Sequence, residues 1–151
     1  MDNDTFKTKI ECEFVIITNE TNTQYVTEVL KIDPDRSFNK GDLVTSKHTL
    51  RNGLRPHGLW AISSKELSLS NMHLSMHLEY LYGILNEKID QIINLKLQNN
   101  FEIVFSISIE TEDVGHGLDI SEFYLSFINK VSNRLSISFI SKENIDFTLN
   151  T

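Results

Sequence analysis

The chain has 151 residues, a single cysteine and a formal net charge of −7, with 40% apolar and 23% charged residues. A length of this order suits one domain that buries roughly two thirds of its unfolded surface, so a single domain is expected over 1–151 with its core at about 8–141. The acidic balance argues against general nucleic-acid binding, the lone Cys12 excludes an intramolecular disulfide, and no apolar run approaches the roughly 20 residues that span a bilayer.

The N-terminal MDNDTFKTK lacks the apolar segment of a secretory signal. With an unpaired cysteine, this leads to the expectation of a cytoplasmic protein. The first element is a half-buried strand, KIECEFVII (Lys9–Ile17), with Ile10, Cys12, Phe14 and Ile16 on one face and Glu11 and Glu13 on the other. A helix follows through QYVTEVLKI, capped by Thr21 or Thr23 and carrying Val26, Val29 and Leu30 on one side. Asp33-Pro34 ends it. DRSFNKGD is expected to be a loop that turns at Gly41.

LVTSKHTL reads as a short strand, RNGLRPHG as a hairpin connection opened by Asn-Gly, and LWAISS as the partner strand. A long helical stretch then runs from Asn71 to about Gln98, capped by Ser68 or Ser70. Leu74, Leu78, Leu81, Leu85 and Ile92 form its stripe, with Ile89 close by. Gly83 and Asn86 lower helical propensity, and a break near Asn86 is expected. FEIVFSISIE alternates Phe101, Ile103, Phe105, Ile107 and Ile109 on one face. After the loop TEDVGHGLDI, Ser121 caps a helix bearing Phe123, Tyr124, Phe127, Ile128 and Val131, and LSISFIS is a last strand. The order β-α-β-β-α(α)-β-α-β predicts an α+β fold: a mostly antiparallel sheet with helices on one face, and a ferredoxin-like core with an added α-β unit.

Charge is unevenly spread. Arg36, Lys40, Lys47, Arg51 and Arg55 face only Asp42 between residues 36 and 56, whereas Glu110, Glu112, Asp113, Asp119 and Glu122 follow one another without a Lys or Arg. Arg51, Arg55, His57 and Trp60 are the first candidate site. Guanidinium groups offer planar paired donors to a carboxylate or phosphate, and an indole face can hold a ring or cation. The competing reading has Trp60 packed in the core and the basic hairpin set against the protein's own acidic loop. His73 and His77, four apart on a helix, share the face that metal ligands require, but the glutamate of the zinc-protease pattern is missing and two ligands do not make a site. His116 sits in a Gly-His-Gly loop among acids, and Cys12 lies among core residues rather than in the exposed, electropositive setting of a reactive thiol. No phosphate loop, dinucleotide fingerprint or nucleophile elbow is present, so no cofactor is expected.

Several stretches resemble a bacterial family, the domain of unknown function labelled 4279. VTEVLKIDP (Val26–Pro34) is similar to its Thr-x-x-Leu-x-Ile-x-Pro helix end. Gly41-Asp42, Gly58-Leu59-Trp60 and Ser63-Ser64 are similar to its glycine and tryptophan-strand positions, and HLEYLYGILNEKIDQI to its leucine-rich broken helix. Where members usually have Leu-Gly before the Ile-x-Pro, this chain has Leu30-Lys31. The resemblance implies a compact α+β bacterial protein and carries no catalytic residue. The functional expectation is a non-enzymatic protein-binding module, such as an immunity protein facing a basic toxin. The alternatives are a small anionic ligand at the basic hairpin, or a metal-dependent enzyme built on His73 and His77.

Overall fold

The computed structural model describes residues 8–44, 53–69, 73–98, 100–112 and 117–141. Its centre is β1 (Lys9–Thr18), whose alternating apolar residues give it one face for a core. It pairs antiparallel with β3 (Gly58–Ser63) on one side and with β4 (Phe101–Thr111) on the other. Beyond β3 lies the short antiparallel β2 (Arg36–Phe38), and beyond β4 the parallel β5 (Arg134–Ser141). The strand order is therefore β2-β3-β1-β4-β5.

Helix α1 (Thr23–Leu30) links β1 to β2, while α2 (Leu74–Leu85) and α3 (Ile89–Lys96) link β3 to β4. The first four strands and these helices form the split βαβ arrangement of a ferredoxin-like core. Helix α4 (Glu122–Val131) then carries the chain across to β5, the added α-β unit expected from the sequence. The helical break also falls where expected, as a single 3-10 turn at Asn86–Lys88.

All four helices cover one face. Val26, Leu30, Leu78, Leu81, Leu85, Ile92, Leu95, Phe127 and Val131 meet Phe14, Ile16, Trp60, Ile103, Phe105 and Ile107 of the sheet in one buried cluster. The other face is open. Val15, Ala61 and Val104 form a small cluster there with Ile17 and Leu59, and Arg36–Glu13 and Arg134–Glu102 ion pairs border it at 2.8 and 3.2 Å.

Three details differ from expectation. The first is β2, which lies inside DRSFNKGD: three residues are too few to show a period, and only pairing with β3 makes Arg36–Phe38 a strand. Of LVTSKHTL, only Leu43 and Val44 are described. Leu43 bridges Leu54 in the register that β2 and β3 already share, past a jog at Gly41 (φ +86°). Residues 45–50 lie outside the described residues.

The second is the cap of α1. Asn22, rather than either threonine, accepts the Gln24 N–H at 2.8 Å. Thr23 instead turns inward, donating its N–H and hydroxyl to Asn39 Oδ1. The third is the start of α2 at Leu74, with His73 at the cap position and no side-chain cap bond. Ser68 belongs to a separate 3-10 turn, Lys65–Leu69, and Ser70 lies outside the described residues. Helix α1 ends on Lys31 in the left-handed region, φ +55°.

Candidate functional site

Among the described residues of the basic hairpin, Arg55 and Trp60 do not converge on one point. Trp60 is fully buried on the helix-covered face, edge-on to Phe14 at 6.5 Å, and its Nε1–H donates to Thr27 Oγ1 at 3.0 Å. The register places Phe38 opposite Leu59, on the open face, and the Arg55 guanidinium lies 4.0 Å above the Phe38 ring. Arg55 and Trp60 therefore address opposite sides of the sheet. The Arg55 N–H donates to the Asp42 carbonyl and its Nε has no partner among the described residues. His57 is half-buried just before β3, and Arg51 lies outside the described residues.

Nor do the described residues of this hairpin meet the start of the acidic stretch. Gly58 pairs with Thr18 at one end of β1, and Glu110 pairs with Lys9 at the other. Ten residues of strand, about 30 Å, lie between them. Asp113 and His116 are outside the described residues.

His73 and His77 do share a helix, but they differ in setting. His73 is exposed, whereas His77 is fully buried, with Nδ1 2.7 Å from Ser64 Oγ. Ser64 also accepts the Cys12 N–H and donates its own N–H to the Cys12 carbonyl, both at 2.9 Å. This knot ties the base of α2 to the junction of β1 and β3. Burial, the larger cause, lowers the His77 pKa below the ordinary histidine value, against smaller upward pulls from Glu11 and Ser64. Burial pushes the Cys12 thiol up to about 12, with the Glu11 charge adding to it. A thiol so held is inert as a nucleophile. Among the described residues no three His, Cys, Asp or Glu side chains cluster as a metal site would need.

Described residues line at least two recesses. One, of about 450 Å³, is polar: Asn19, Glu20, Thr21, Asn22, Asn39, Lys40 and Gly41 line it. Its groups are largely spoken for, since Lys40 pairs with Glu20 and the first N–H groups of α1 are taken by Asn22 and Asn39. The other, of about 350 Å³, is a groove between α2, α3 and α4 lined by Tyr82, Ile89, Phe123, Ser126 and Phe127, with Glu122 and Lys130 also on its wall.

Aromatic rings build this groove. Tyr82 meets Phe123 and Phe127 edge-to-face, each at 5.1 Å. Phe123 is 57% exposed. Glu122 stands in the first turn of α4 and Lys130 in the last, roughly 12 Å apart along the helix axis. Neither makes an ion pair among the described residues. A groove of this size with apolar walls and few polar groups suits an apolar side chain or a drug-sized ligand. Sequence reasoning placed Phe123 in the core stripe. The available signal was the width of the apolar arc: Phe123, Tyr124, Leu125, Phe127, Ile128 and Val131 are more than one face of a ten-residue helix can bury.

The fold and its recesses define a small α+β domain with a ferredoxin-like core, an appended α-β edge and no assembled catalytic constellation among the described residues. The chain belongs to a family described as a domain of unknown function, DUF4279, whose model matches residues 7–142. No curated protein and no solved structure matches it. Among the described residues, no helix is long and apolar enough to cross a membrane.

Proposed function

We propose that this chain is a non-enzymatic protein-binding module of the bacterial cytoplasm, and that the aromatic groove beside α4 is where it anchors its partner. The observation that carries this reading is Phe123, a large apolar side chain more than half exposed on the lip of an aromatic groove. Exposed aromatics of this kind are enriched at protein interfaces, where a few anchors supply most of the affinity. The net charge of −7 suits a basic partner, whose association it would accelerate. An immunity protein that neutralises a basic toxin is the concrete form of this reading.

The test is co-purification with the product of the adjacent gene, comparing the parent chain with Phe123→Ser. Phe123 is exposed, so the variant keeps its fold, and partner affinity should fall at least about tenfold. Undiminished binding by the variant removes the groove from the interface. Absence of any complex with the neighbouring product removes the immunity form.

A further inference from the structure

We propose that α4 is the contact by which this chain pairs with a second copy of itself: two α4 helices pack antiparallel about a two-fold axis that passes beside Ser126. This does not rest on the partner reading above. It adds that a second copy and that partner compete for one surface. On the side of α4 turned away from the core, every fourth residue falls in line. Glu122, Ser126 and Lys130 form an exposed row there. Phe123 and Leu125, 57 and 44% exposed, flank the row on its two sides.

The row is complementary to itself when reversed. Glu122 and Lys130 stand equally far from Ser126, so a copy running the other way sets Glu122 of each chain against Lys130 of the other. Ser126 meets Ser126 at the crossing, where a small side chain lets two helices approach to about 8–10 Å. The axis lies across the helices and keeps both aromatic grooves on the same side of the pair. Phe123 of each copy then reaches towards the Phe127 end of the other's groove.

Charge around the row has the same sense. Asp119 precedes α4 and is exposed. Burial and then the Glu79 charge raise the Tyr124 hydroxyl pKa, which places Glu79 near the same end of the helix. At the other end Lys96 donates to the Asn129 carbonyl at 2.8 Å, beside Lys130. One end of α4 is thus acidic and the other basic, and neither Glu122 nor Lys130 makes an ion pair among the described residues. An antiparallel copy covers each end with its opposite and also sets the helix dipoles head to tail. The net charge of −7 resists association. At about 0.15 M salt that repulsion is screened beyond roughly 8 Å, whereas pairs closer than this are screened less.

The test is sedimentation of the full chain from micromolar to millimolar concentration, at about 0.15 M salt. The mass should rise from 17.4 kDa towards twice that value. Glu122→Lys and Lys130→Glu should each weaken the pairing at least about tenfold, because each sets like charges against one another. Mixed in equal amounts, the two variants should recover the dimer, since opposite charges then face each other at both contacts. The chain carrying both substitutions should pair with itself again for the same reason. Both positions are exposed, and unchanged circular dichroism spectra confirm the folds. A mass that stays monomeric at millimolar concentration overturns the proposal and leaves the groove to a different protein or to another segment of this chain. A dimer that neither single substitution weakens, or a mixture that does not recover it, also overturns it, because the contact then lies elsewhere. Binding of the neighbouring gene product by the parent chain and by Phe123→Ser is read separately, so failure here leaves the partner reading standing.

Discussion

At one edge of the sheet stands β2, three residues long, with Arg36 drawn to Glu13 and the chain turning away at Gly41. At the other stands β5, nearly three times as long, carrying apolar side chains that α4 is too short to cover. The difference traces to what lies beneath each edge. The β2 edge sits beside β3, whose Trp60 drives fully into the core, whereas β5 was added outside a sheet already complete as a ferredoxin-like unit. Strand identity at the first edge comes from pairing with β3 alone; at the second it is also written in the alternation of β5's own residues.

The sharpest way to break this comparison is to truncate one large side chain at each end. Trp60→Ala should cost about 3–5 kcal/mol, since it opens a cavity against Phe14 and strands the Thr27 hydroxyl. Phe139→Ala should cost less than about 1 kcal/mol in the monomer. Urea unfolding at low protein concentration measures both. Equal losses would mean that β5 is as deeply anchored as β3.

A smaller effect is expected at Gly58, where β3 begins. A Cβ there would lie 2.1 Å from Thr18 Oγ1 and 3.3 Å from the Phe38 carbonyl oxygen. Gly58→Ala should therefore destabilise by about 1–3 kcal/mol and loosen β2, read as faster hydrogen exchange at Arg36–Phe38. If β2 keeps its protection, the glycine serves only β1.

The knot beneath β1 and β3 adds a pH dependence that β5 lacks. His77 has its folded pKa lowered, chiefly by burial. As pH falls, the unfolded chain takes up this proton first. Stability is thus full above the ordinary histidine value of about 6.5 and is lost as pH drops below it. Comparing unfolding at about pH 7.5 and about pH 5.5 should show the decline, and His77→Leu should flatten it. Parallel slopes for the two chains would place the titrating group elsewhere.

Much of this architecture was readable in the residues. β1 and β4 announce themselves because every second side chain is apolar over most of their length, and Gly83 and Asn86 mark the helical break because both lower helical propensity. β2 was hidden because Ser37 and Phe38 carry no period of their own. The candidate site was harder. Arg55 and Trp60 are five apart in sequence, and proximity along the chain suggested a shared surface, yet Trp60 points from within β3 to the helix-covered face while Arg55, just before it, lies over Phe38 on the other. The aromatic groove escaped notice because α4, separated in sequence from α2 and α3 by β4, supplies its second wall, and no local pattern encodes their meeting.

Lys31 holds the left-handed conformation that closes α1. A side chain there is strained by its Cβ, and glycine is not. This chain therefore sits below the stability its own backbone permits, and Lys31→Gly should recover about 0.5–1 kcal/mol. The helix end acts as a tuning point: a single codon separates two thermal tolerances of one unchanged fold, in a place that touches neither the groove nor the β5 edge. A calorimetric midpoint that does not rise would show that contacts made by the lysine side chain offset the strain.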